Sequence, residues 1–167
     1  EAWPGDVIGM FDTGNFKIGD TLTEKSTFNF RGIPSFSPEL FRELVNLDPM
    51  RSKQLEKGIR QLTDEGVAQL FTQQPGNKKI VGCVGDLQFD VIRYRLEHEY
   101  GASCSFQTIQ AHKACWLTST DPAELAAFIR VKSMQIVQDK GGNRVFMANS
   151  AYMLELEKRK NQSITFH

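Results

Sequence analysis

Three kinds of residue in this chain carry chemistry worth weighing: cysteines and histidines for metals or nucleophiles, paired carboxylates for acid–base work, and clustered cations for anions. Cys83, Cys104 and Cys115 are odd in number and spaced 21 and 11 apart, which gives neither a disulfide framework nor a C-x-x-C metal pair. Each lies in an apolar run, so buried, reduced thiols are expected. His98, His112 and His167 share no ligand spacing with one another or with the cysteines, and no metal site is expected. Asp64-Glu65 and Glu155/Glu157 occupy helix-end or solvated-face contexts. No Ser or Cys stands near a His in a nucleophile elbow.

Nucleotide chemistry is also missing from the pattern. The chain has no G-x-x-x-x-G-K-[ST] run. Gly82 and Gly85 precede a helix in the manner of a phosphate loop, but Asp86 puts a negative charge where the phosphate would sit. Asp86 is expected to be an ordinary N-cap instead.

Cations are what remain. Lys53, Lys57 and Arg60 repeat at helical spacing, Lys78-Lys79 follow a turn, Arg93 and Arg95 share a second helix, and Lys158-Arg159-Lys160 end the last one. Lys53, Lys57, Arg60, Lys78, Lys79, Arg93 and Arg95 are the candidate contacts for an anionic partner. Cations at 158–160 have a local explanation, because they oppose the negative end of a helix dipole. The chain shows no exposed aromatic pair of the sort a sheet uses to stack single-stranded bases, so contact by shape and charge is the reading left.

Elements must hold these side chains, and 167 residues with 40% hydrophobic and 24% charged content suit a globular chain. Formal charge is zero overall, so no global field draws the chain to nucleic acid or membrane. It is uneven, though: residues 1–32 sum to −2, 33–110 to −1 and 111–167 to +3. No apolar run approaches 18 residues and no signal peptide is visible, so a cytoplasmic location is expected.

Asp48-Pro49 starts a helix over 50–65, with Leu55, Ile59 and Leu62 as its buried stripe and Gly66 as its left-handed cap. Strands are expected at 67–73 and 79–85 around Pro75-Gly76-Asn77, a helix at 87–100 closed by Gly101, and a strand at 102–109. Segment 36–47 is ambiguous: Leu40, Leu44 and Leu47 suit a helix, whereas Phe41, Val45 and Leu47 suit a strand. As a strand it completes a βαββαβ order, the ferredoxin-like arrangement, and that is the reading adopted. The rhythm repeats with strands at 114–119, 135–138, 144–149 and 164–166 and helices at 122–132 and 151–160. Whether the two units share a sheet is open. Residues 1–32 carry two short apolar strands about Gly/Asn/Asp turns, too few to be stable alone, which implies partners elsewhere.

Several motifs in register resemble a known superfamily. Gly5-Asp6-Val7-Ile8-Gly9, Ile18-Gly19-Asp20-Thr21-Leu22 and Gly32-Ile33-Pro34 through Arg42 look like a translational GTPase just past its second-domain barrel. Gln54-Leu55-x-Lys57-Gly58-Ile59 and Ile80-Val81-Gly82 through Val91 resemble its third domain, where elongation factor G has a related turn at the position of Gly85 to Asp90. Pro38-Glu39-Leu40-Phe41-Arg42 and Asp139-x-Gly141-Gly142-Asn143 narrow the resemblance to the class II peptide chain release factors (release factor 3).

The resemblance implies an α+β fold: barrel strands over 1–32, an elongation factor G domain III-like ferredoxin-like domain over 33–110, and a C-terminal α/β subdomain over 111–167. It also implies a ribosome-docking part of a GTPase that recycles class I release factors in translation termination. Partners would then be ribosomal RNA, ribosomal protein and, functionally, class I release factors, with no DNA and no membrane. GTP and magnesium would bind in another domain of the parent, leaving no cofactor and no catalysis here. The competing expectation is a ferredoxin-like regulatory or dimerisation module that binds a small metabolite.

Overall fold

The structure is a computed structural model that describes residues 1–11, 20–24, 30 and 37–167. The chain divides into two compact units, Glu1–Pro34 and Ser35–His167. In the first unit the Asp6 carboxylate accepts the Trp3 amide at 2.8 Å, and Thr21 Oγ1 accepts that of Phe30 at 3.0 Å. None of its described residues lies in a strand, and the expected Gly14-Asn15 turn and the Ile18-Gly19 motif lie outside the described residues.

The second unit is α+β. Its elements in chain order are β1 (Leu40–Asn46), α1 (Ser52–Asp64), β2 (Gln69–Gln73), β3 (Lys78–Cys83), α2 (Leu87–Tyr100), β4 (Cys104–Thr108), β5 (Lys113–Ser119), α3 (Pro122–Val131), β6 (Ile136–Gln138), β7 (Arg144–Ala148), α4 (Ala151–Lys160) and β8 (Ile164–Phe166). All eight strands join one antiparallel sheet in the order β4-β1-β3-β2-β6-β7-β5-β8. The order β4-β1-β3-β2 on one side is repeated as β8-β5-β7-β6 on the other, so the halves are related by an approximate two-fold between β2 and β6.

The ambiguous segment is a strand, β1, lying between β3 and β4. Its pattern failed to alternate because both of its faces are covered: Phe41 is buried on one side and Leu44 on the other. Asp48 caps as expected, its carboxylate accepting the Met50 amide at 2.9 Å, but what it starts is a 3-10 turn, Pro49–Arg51, that leads into α1. Gly66 and Gly101 take positive φ at 75° and 62° and end α1 and α2.

One face of the sheet carries the helices. Leu55, Ile59 and Leu62 of α1 and Phe89, Ile92 and Leu96 of α2 pack on the first half. Phe128 of α3 and Leu154 of α4 pack on the second. The opposite face carries no helix among the described residues, yet Phe41, Phe71, Ile80, Val137, Val145 and Met147 are buried on it. Side chains from both halves of the sheet pack against one another there. Phe71 on β2 and Trp116 on β5 are three strands apart, about 14 Å on a flat sheet, but their ring centroids are 6.1 Å apart. The two rings lean towards each other over this face.

The seam between the halves is short. β2 and β6 share two register pairs, Thr72 with Gln138 and Gln73 with Val137. Gln73 Nε2 donates to the Met134 carbonyl at 2.5 Å, and Lys140 pairs with Asp64 across the same line.

Candidate functional site

The seven expected contact residues do not form one patch. Lys53, Lys57 and Arg60 lie on the solvent side of α1, opposite its buried stripe. Arg60 donates back to Glu56 one turn earlier at 2.9 Å, while Lys53 and Lys57 have no ion-pair partner among the described residues. Lys78 and Lys79 point to opposite faces because they are neighbours on β3. Lys78 meets Glu43 at 3.1 Å, and Lys79 reaches Thr72 Oγ1 at 3.2 Å and Glu56 at 3.8 Å.

On α2, Arg93 pairs with Asp90 at 2.9 Å. Arg95 grips both Glu99 oxygens, at 2.7 and 2.9 Å, and reaches Glu65 at the end of α1 at 2.5 Å. Its hydrogen bonds hold the Glu99 carboxyl below the usual range. Arg95 is therefore a tie between α1 and α2. Five of the seven cations already meet a carboxylate of their own chain, and Lys53 and Lys57 keep an unopposed charge.

The turn before α2 corrects one expectation. Asp86 does not cap the helix: its carboxylate pairs with Arg42, whose guanidinium lies 4.6 Å from the centre of the Phe89 ring. Gln88 Oε1 instead reaches back from the first turn of the helix, accepting the amides of Val84 at 2.8 Å and Gly85 at 3.1 Å. Those amides, the donors a phosphate would use, are engaged within the turn.

The three cysteines are buried and unpaired, as the sequence suggests. Burial pushes the Cys83 thiol up to about 12 and Cys104 to about 11, and raises Cys115 as well. These are poor nucleophiles and poor ligands at neutral pH. No group of three metal-ligating side chains occurs among the described residues. No described helix is long and apolar enough to cross a membrane.

Two features escaped the sequence reading. The first is a second apolar register on α2: Leu87, Val91 and Tyr94 are exposed at i, i+4 and i+7, and His98 stacks on Tyr94 at 3.9 Å. The second is the work of the Asp139–Asn143 turn. Asp139 accepts the Asn143 amide at 2.8 Å and Asn143 Nδ2 and Trp116 Nε1 at 2.9 Å each. It locks the β6–β7 turn and fixes the indole that closes the helix-free core. The motif is structural, and its signal was the short Asp-x-Gly-Gly-Asn spacing of a hairpin turn.

The family model for the class II release factor RF3 C-terminal domain matches residues 30–158, more than three quarters of the chain. The chain belongs to that family.

Proposed function

We propose that this chain is the ribosome-docking C-terminal part of a class II release factor, within a GTPase that promotes the recycling of class I release factors in translation termination. The observation that carries the reading is the family match over residues 30–158. The described surface agrees with it, offering shape and charge where its thiols are buried and its turn amides are engaged.

In this reading each βαββαβ half is a ferredoxin-like unit, the first over 33–110 and the second over 111–167. The strand order β4-β1-β3-β2 supports that assignment. Nucleotide and magnesium bind in another domain of the cytoplasmic parent factor, and this part acts as a stiff brace. A brace transmits the nucleotide state only if it contacts two ribosomal conformations differently, which shifts their balance. Lys53 and Lys57 are the contact cations of α1 in this scheme. Arg60, Lys78, Lys79, Arg93 and Arg95 serve first to position their own elements.

The test is competition. The chain is added in excess to a termination reaction containing an intact class II factor, ribosomes and a class I factor. Docking predicts slower release of the class I factor as the chain occupies the shared surface. Unchanged release at ribosome-saturating concentrations overturns the reading.

A further inference from the structure

Electrostatic pairing divides unequally between the halves. In the first half six of the nine cations meet a carboxylate, and the segment sums to −1. In the second, which sums to +3, the five carboxylates all have local duties. Asp121 caps α3 through the amides of Ala123 and Glu124, and Glu124 accepts from Ser163. Asp139 closes its turn, Glu155 holds Lys158 at 3.0 Å, and the buried Glu157 holds Lys132 at 2.6 Å. Lys113, Arg130, Arg144, Arg159 and Lys160 are exposed and have no ion-pair partner among the described residues.

These five cations lie on one side of the sheet. Lys113 shares its face of β5 with Cys115, and Arg144 shares its face of β7 with Phe146, both of which pack in the core under α3 and α4. Arg130 is in the last turn of α3, and Arg159 and Lys160 are in that of α4. Helix dipoles explain the last three in part. They do not explain Lys113 and Arg144, which stand at strand starts. Lys113 sits opposite Ala148, four residues along β7 from Arg144. At roughly 3.3 Å per residue that is about 13 Å, a span for an extended polyanion and too wide for one small anion.

We propose that the helix-bearing side of the second half is a phosphate-facing surface that docks an RNA backbone, additional to Lys53 and Lys57. This rests on the ribosome-docking reading and names the chemistry of the partner. Arginine at three of the five positions suits phosphate, which a guanidinium can grip with two parallel hydrogen bonds.

The experiment compares the whole chain with R130E/R144E/R159E and K53E/K57E, using intact ribosomes and deproteinised ribosomal RNA as probes. Circular dichroism checks that each variant folds, and a neutral R130Q/R144Q/R159Q chain guards against misfolding by repulsion. The triple reversal should weaken binding to both probes at least tenfold and flatten the dependence of log affinity on log salt by roughly two to three units. Its effect should add to that of K53E/K57E. A triple variant that binds like the native chain overturns the proposal. So does one that loses ribosomes but keeps deproteinised RNA, which would identify an acidic protein as the partner. If the native chain ignores ribosomes while its RNA binding still depends on these arginines, the docking reading fails and the surface stands. Binding to neither probe overturns both.

Discussion

Asp139 shows how one side chain makes stability depend on pH. Burial works to raise its carboxyl, but the donors from Asn143, Trp116 and the Gly141 backbone outweigh it, and the net shift is downward. A depressed carboxyl stabilises the fold fully above the unfolded value, near pH 4, and loses that contribution as pH falls through its lower folded value. D139N should therefore cost about 1–3 kcal/mol at pH 7 in urea unfolding, and measurably less near pH 2. Trp116 fluorescence should report the loosened indole. The thiols work in the opposite sense. Cys83, at about 12, and Cys104, at about 11, favour the folded chain below the unfolded thiol value near 8.5, and that advantage fades as pH rises towards the folded values. All three should resist a disulfide reagent at neutral pH and react together once denaturant is added. At this scale the sequence was informative about burial, because an apolar neighbourhood announces a core thiol. It misplaced Asp86, expected as a helix cap, because the pairing with Arg42 depends on a strand 44 residues away.

Helices α1 and α2 pack tightly at Gly58. A Cβ there would lie 2.7 Å from a Leu96 methyl carbon and 2.8 Å from the Tyr100 ring. G58V should separate the helices and cost about 1–3 kcal/mol through overpacking. In G58A the gain in helix propensity, about 1 kcal/mol, offsets part of the strain. G85A is the control, since its Cβ meets nothing within 4 Å. Thermal melts should rank G58V below G58A, with G85A beside the native chain. The exposed stripe of α2 makes a contrasting case: L87S and Y94S remove no core contact and should change stability by only about 0.5 kcal/mol. Elements were largely legible in the sequence because caps, glycine stops and the i, i+4, i+7 stripe of α1 are local signals. β1 was legible from the βαββαβ order but not from its own pattern, since a strand covered on both faces loses its alternation. The two registers of α2 were equally hard to separate, because a helix apolar on two sides gives no clear inward face.

At the scale of the whole molecule, the eight strands form a single sheet while the sequence suggests two repeating units, and the difference lies in how little of the seam is local. Two register pairs between β2 and β6 leave no periodicity to read, and they join residues more than sixty positions apart. What unites the halves is the helix-free core, where Phe41, Phe71 and Ile80 come from one side and Ala114, Val137, Val145 and Met147 from the other. Phe71 and Val145 are completely buried there. Each half alone has the strand order of a self-sufficient domain, so strand order predicts that a chain cut after Gln110 yields two folded pieces. Burial predicts otherwise. Separated, each half would expose its share of this face, a contiguous apolar patch of the kind that soluble monomers avoid. Each would also leave its β2 or β6 edge open to pairing. We therefore expect residues 37–110 and 111–167, expressed separately, to be unfolded or aggregated by circular dichroism and sedimentation, and to regain native signal when mixed. If either piece alone gives a cooperative melt and a dispersed amide spectrum, the shared core is dispensable. The chain would then be two hinged domains and not one stiff body, and a brace that transmits a nucleotide state would need some other source of rigidity.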